Sequence, residues 1–199
     1  MPFKLTGPKG GTLIRRATAA RVAQVLPGLI RRFRRVTVTG NPPLTNPLPH
    51  TPPPVRTRMV AWAHWSLEHP GSFAYTETSR RSEMFHRAPG DLRGTIRADC
   101  SQWYAAIGHW CGLTVFADTD YTGTLLQKGQ AVRVPKPGDC VIFGPGTGVH
   151  AGMVTERQGS DWWVVAFGHN PPDRVLLSHL ETYFTQAGKP GVRFLAFTT

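Results

Sequence analysis

Asp99-Cys100-Ser101-Gln102-Trp103-Tyr104 opens the stretch that decides how this chain of 199 residues is read. Asp ahead of an apolar run, with Gln three residues later, is the capping-box pattern of a helix N-terminus. It predicts a helix from Asp99 to Cys111, stopped by Gly112, with Trp103, Tyr104, Ile107 and Trp110 as its buried face. Cys100 then takes the first helical position, where unpaired N–H groups and the positive dipole end favour an anion. A thiol attacks well only as thiolate, and such surroundings lower its pKa; the same N–H groups could hold a tetrahedral oxyanion. Core packing at a helix start is the competing reading, and the local sequence does not separate the two.

Downstream, the periodicity shortens. Cys140 to Phe143, His150 to Glu156, Trp162 to Phe167 and Val192 to Phe197 read as strands separated by Gly and Pro. Upstream, Val55 to Glu68 reads as a helix with Met59, Trp62, Ala63 and Leu67 inward, ended by His69-Pro70-Gly71. Ser72 to Ala98, rich in Arg, Gly and Pro, reads as loop. Helices first and an antiparallel sheet after them define an α+β domain. Ten Phe, six Trp and four Tyr can fill its core.

Cys100, Cys111 and Cys140 are odd in number and lack CxxC spacing, which argues against a disulfide framework and a structural zinc site. At least one free thiol is expected, and neither metal nor cofactor is called for. Cys111 lies about three turns along the Cys100 helix, and Cys140 sits in an apolar run; both read as small buried hydrophobes.

A base for Cys100 is sought among eight histidines. His150 follows the turn Gly146-Thr147-Gly148-Val149 at the opening of a strand, where a side chain can project toward a helix terminus packed on the sheet. His169, in Gly168-His169-Asn170-Pro171, follows the next strand, so pairing of the two strands could bring it beside His150. His150 would take the thiol proton, and His169 would fix its tautomer. His50 lies in a Pro-rich stretch, His64 and His69 in or at the end of the first helix, His109 far along the Cys helix, and His86 and His179 in segments read as loops.

These residues together resemble a known family. Asp99-Cys100-Ser101 before an apolar helix, Pro137-Gly138-Asp139 leading into Val141-Ile142-Phe143, and His150-Ala151-Gly152-Met153-Val154 look like the NlpC/P60 superfamily of papain-like cell-wall peptidases. The likeness is closest to versions in lysins and virion proteins of actinobacterial phages, where Tyr121-Thr122-Gly123-Thr124-Leu125-Leu126 has counterparts before the sheet. It runs from about Phe73 to Pro172. The resemblance implies a Cys100, His150, His169 triad, with Tyr75 near the thiol and Ser101 and Asp99 in the substrate or oxyanion region. The substrate it implies is bacterial peptidoglycan, cut between D-glutamate and a diamino acid. The gap from His150 to His169 is longer than is common in that family and also fits the related CHAP enzymes, whose bond would be the muramoyl to L-alanine amide. Cys140 stands where an aliphatic residue is usual.

The formal charge of +11 is not spread evenly. Residues 1 to 58 hold eleven of the 23 basic side chains and no Asp or Glu, so the rest of the chain is formally neutral. From Thr12 to Val36, Ala19, Val22, Leu26, Leu29 and Phe33 recur at helical steps between arginines, which predicts two short amphipathic helices hinged at Pro27-Gly28. Residues 40 to 54, GNPPLTNPLPHTPPP, read as a stiff linker. The expected organisation is a basic arm over 1–39, that linker, and a peptidase domain over 55–199.

Phosphate binding alone would not need the arm's apolar face, so a protein partner such as a phage tail is expected there, with nucleic acid the weaker option. No secretory signal is expected, since Arg15, Arg16 and Arg21 interrupt the N-terminal apolar residues, and no stretch has the length of a membrane span. The expected location is a virion tail, or the host cytoplasm before release to the wall. A virion adaptor that keeps a peptidase fold without turnover is the rival function.

Overall fold

The computed structural model describes residues 3–6, 12–17, 37–39, 53–168 and 171–198. The chain divides into two compact units, Met1–Pro53 and Pro54–Thr199.

In the first unit, β1 (Phe3–Thr6), β2 (Thr12–Ala17) and β3 (Thr37–Thr39) form an antiparallel sheet in the order β2-β1-β3, with Leu5 opposite both Ile14 and Val38. This corrects the arm: the helix expected from Thr12 onward is a strand over Thr12–Ala17. The alternation Phe3-Lys4-Leu5-Thr6 and the following Gly-Pro-Lys-Gly-Gly are hairpin signals, and they outweigh the weak helical spacing over that short run. The rest of the expected helical arm, residues 18–36, and the Pro-rich stretch over 40–52 lie outside the described residues.

The second unit begins with α1 (Val55–Glu68), which buries Met59, Ala63 and Ser66 and leaves Trp62 and Leu67 half-buried. A 3-10 turn over Pro70–Ser72 leads into β4 (Phe73–Tyr75), which pairs in parallel with β5 (Ile96–Ala98). The segment read as loop therefore starts and ends in extended pairing, and it carries a second 3-10 turn at Ser79–Ser82. Three-residue strands are too short to show a period, which is why the sequence hid them.

The helix α2 (Cys100–Trp110) follows, buried along all but one position, His109. Small residues on it allow close neighbours: a Cβ on Gly108 would lie 2.1 Å from the Phe116 ring. Full burial of side chains such as Ile107 on this helix is worth about 1.5–3 kcal/mol each.

After α3 (Thr122–Lys128) come β6 (Gln130–Val132), β7 (Cys140–Phe143), β8 (His150–Gln158), β9 (Asp161–Ala166), β10 (Asp173–Leu176), α4 (Leu177–Gln186) and β11 (Val192–Ala196). The strands β6 to β11 form one antiparallel sheet in the order β10-β9-β8-β7-β11-β6, as an α+β domain requires. His179, read as a loop residue, sits on α4.

Alternation along the strands splits the sheet into two faces. Cys140, Ile142, Ala151, Met153, Val165 and Phe167 share a core with α1 and α2, while Val141, Phe143, Val154, Val164 and Ala166 share one with Leu177, Leu180 and Phe184 of α4.

Pro137-Gly138-Asp139 knots these layers together. The buried Asp139 carboxylate accepts from Arg56 on α1 and from the Lys136 N–H at 2.7 Å, and Tyr104 of α2 donates to the Gly138 carbonyl at 2.9 Å. Gly138 has φ of 92°, and a Cβ there would come within 3.1 Å of the Arg56 backbone. Glycine is needed both for the turn and for the approach of α1.

Candidate active site

Asp99 caps α2 as the sequence indicates: its Oδ1 accepts from the Gln102 N–H at 2.7 Å. The reciprocal half of the capping box is not made. Gln102 is buried and turns its amide to the carbonyls of Ala117 at 3.3 Å and Asp120 at 2.6 Å, pinning the chain ahead of Tyr121. Asp99 is held from two further sides. Ser101 Oγ donates to Oδ1 at 2.7 Å, and Arg81 donates to Oδ2 at 2.5 Å while also reaching the Thr119 carbonyl at 3.1 Å.

The backbone N–H groups of Ala151, of Ser101 and of Cys100 itself act on the Cys100 sulfur. Two of these are the unpaired donors of a helix start, and the third comes from β8, one residue past His150. All three favour the thiolate. Burial opposes them and is the largest influence; the Asp99 carboxylate adds to it, and together they push the thiol up to about 12. The helix-start N–H groups thus act in the expected direction, but the net shift is upward. Burial and an adjacent acid outweigh the dipole, and the resting sulfur carries its proton.

Cys100 opens onto a cleft of about 260 Å³ lined by Tyr75, Glu77, Arg81, Asp99, Ser101, Tyr121, Thr122 and Val149. Tyr75 thus lines the same cleft as Cys100. Its hydroxyl donates to Glu77 at 2.8 Å, and burial followed by the nearby Cys100 pushes its pKa well up, so the phenol keeps its proton. Tyr121 and Val149 are exposed at the rim of the cleft. A Cβ on Gly123 would lie 2.4 Å from the Tyr121 ring, so this glycine lets the ring fold back over α3.

His150 starts β8 opposite Phe143. Its ring, buried, stacks on Phe184 of α4 at 5.5 Å and lies 6.1 Å from Phe143. Gly168 makes room for it: a Cβ at that position would sit 2.9 Å from His150 Cε1. The turn before it is fixed by Thr122 Oγ1, which donates to the Gly148 carbonyl at 3.2 Å. His169 lies outside the described residues, immediately after Gly168.

Cys111 and Cys140 are buried, and no disulfide joins any of the three cysteines. Among the described residues no group of three or more His, Cys, Asp or Glu is placed to hold a metal ion, and no helix is long and apolar enough to cross a membrane.

Arg81 and Glu77 are the cleft residues that sequence reasoning missed. Both fall between two short strands in a segment without periodicity, and only the fold carries them to the helix start. Tyr121 was quoted as part of a motif, but nothing in its spacing marks it as a rim residue.

Compared with known proteins, the chain matches no family model, no curated protein and no solved structure.

Proposed function

We propose that the protein is a papain-like cysteine hydrolase of the NlpC/P60 type that cleaves an amide in the peptide of bacterial peptidoglycan. The observation that carries this reading is the placement of Cys100 at the capped start of α2, its sulfur among three N–H donors and facing a cleft with Tyr75. In the proposed reaction the substrate carbonyl enters the cleft and the sulfur attacks the carbonyl carbon, its proton passing to His150, whose ring must for this swing from its place against Phe184 toward the cleft. The tetrahedral oxyanion is held by N–H groups at the helix start. Collapse breaks the C–N bond, the amine leaves with the proton from His150, and water activated by His150 hydrolyses the thioester. His169 is assigned the orienting role. The preferred bond joins D-glutamate to a diamino acid, with the muramoyl to L-alanine amide as the alternative. The basic N-terminal unit is assigned docking on a phage-tail or other protein partner.

A second reading, a virion adaptor with a peptidase fold and little turnover, is favoured by the thiol held protonated by burial and Asp99.

Digestion of purified peptidoglycan decides between them. Wild type should release new amino groups and Cys100→Ala should not, with mass spectrometry of the products naming the bond. Equal release by both proteins, or none by wild type from pH 5 to 8, would overturn the hydrolase reading.

A further inference from the structure

A second depression, of about 480 Å³, is lined by Arg80, Glu83, His86, Arg87, Gly94, Thr95 and Arg97. Its lining adjoins that of the thiol cleft along the chain. Arg80 and Arg81 are consecutive residues of the 3-10 turn Ser79–Ser82; Arg81 lines the cleft and Arg80 lines the groove.

The groove holds three guanidinium groups against the single carboxylate of Glu83, because His86 is paired with Asp118 at 3.1 Å. The three arginines are not equivalent. Arg87 spends both terminal nitrogens on the carbonyls of Arg93 and Thr95, at 2.6 and 2.7 Å, and so clamps the loop that forms one side. Arg80 meets Glu83 through Nε, and its two terminal nitrogens have no partner among the described residues. Arg97 reaches the other oxygen of Glu83 through one terminal nitrogen at 3.3 Å. Glu83 thus aligns two guanidinium groups side by side without neutralising both. A guanidinium with free N–H groups on one edge suits a planar carboxylate.

We propose that this groove is a carboxylate subsite, in which Arg80 and Arg97 hold a free carboxylate of the wall peptide while the peptide runs across Arg81 into the thiol cleft. The inference rests on the proposed function for the identity of the peptide. The chemistry it names is specific: an acyl chain bearing a carboxylate several bonds from the scissile amide is bound, and the same chain with that carboxylate amidated is not. This would make the enzyme sensitive to whether the wall of its target is amidated.

Calorimetric titration tests it on the full-length Cys100→Ala protein, with the tripeptide L-alanyl-γ-D-glutamyl-diaminopimelate and its fully amidated form as probes. The free acid should bind, and Arg80→Gln or Arg97→Gln should each weaken it about fivefold, the scale of a partly exposed ion pair. The amidated peptide should bind equally weakly to all of these proteins. Arg93→Gln removes an equal charge outside the groove, from a side chain 90% exposed, and should leave the affinity unchanged. Equal losses in all three arginine variants would reduce the effect to net charge, and no binding of the free acid into the millimolar range would remove the subsite; either result overturns the proposal. Peptidoglycan digestion by wild type is read separately, so a failed subsite beside intact Cys100-dependent turnover is distinguishable from failure of the hydrolase reading.

Discussion

The backbone N–H of Ala151 favours the thiolate of Cys100, so the sheet acts on the thiol through the backbone of the residue next to His150. Strand β8 thereby has two roles at its first two positions. Ala151, small and on the helix side, brings the backbone to the sulfur, while His150 sits between Gly168 and Phe184.

The protonated thiol has a measurable signature. Alkylation of Cys100 by iodoacetamide should rise about tenfold per pH unit between roughly pH 7 and 10, without a plateau. Burial raises this thiol from its ordinary 9.0 to about 12, so the neutral form is the one the fold favours. Its contribution to stability is fully present below the ordinary value and is lost as pH climbs from there toward the raised one. A plateau in alkylation at neutral pH, read by peptide mass spectrometry, would instead reveal a thiolate paired with an imidazolium.

Asp99 both caps α2 and raises the thiol. Asp99→Asn keeps an oxygen for the Gln102 N–H and removes the charge, so Cys100 should alkylate several-fold faster at pH 8 with a modest loss of stability. Asp99→Ala also removes the cap, costing about 1–2 kcal/mol, and takes from Arg81 and Ser101 the carboxylate they share. Urea melts should rank the variants in that order. If Asp99→Asn slows alkylation, the carboxylate is not what raises the thiol.

Gly168 has no left-handed conformation to protect, and its role is space for the His150 ring. Gly168→Ala should displace that ring and lower peptidoglycan hydrolysis by roughly ten- to a hundredfold, while the thermal midpoint moves by only a few degrees. Unchanged hydrolysis would show that the position of His150 in this structure is not the working one.

The unit from Pro54 onward carries its own two hydrophobic clusters, one on each face of the sheet. Deleting residues 1–52 should leave a protein that melts cooperatively and keeps its hydrolysis of soluble wall fragments, losing only assembly or wall targeting. A truncated protein without a cooperative melt would show that the first unit is needed for folding.

Where the sequence was legible, it was legible for a local reason. The span Val55–Glu68 and the start of α2 at Cys100 are set by neighbouring residues, Pro-Pro before one and an Asp cap before the other. The strands β7, β8, β9 and β11 are runs of apolar residues bounded by turns. Gln102 shows the limit. Its spacing from Asp99 fits a capping box, yet its amide makes two bonds to the Ala117 and Asp120 carbonyls, and that choice depends on a loop fifteen and more residues away.

By itself, then, the sequence determined the α+β order, the capped thiol and the strand carrying His150, because caps, turns and apolar periods are written in adjacent residues. The tertiary structure decided the rest. It turned Thr12–Ala17 into a strand by pairing it with Phe3–Thr6, and it brought Tyr75, Glu77 and Arg81 from an aperiodic segment to the mouth of Cys100. It also set the state of the thiol. The pull of a helix N-terminus can be read from Asp99-Cys100-Ser101, but the burial that overrides it comes from residues distant in the chain and exists only once the sheet and helices have closed around the sulfur.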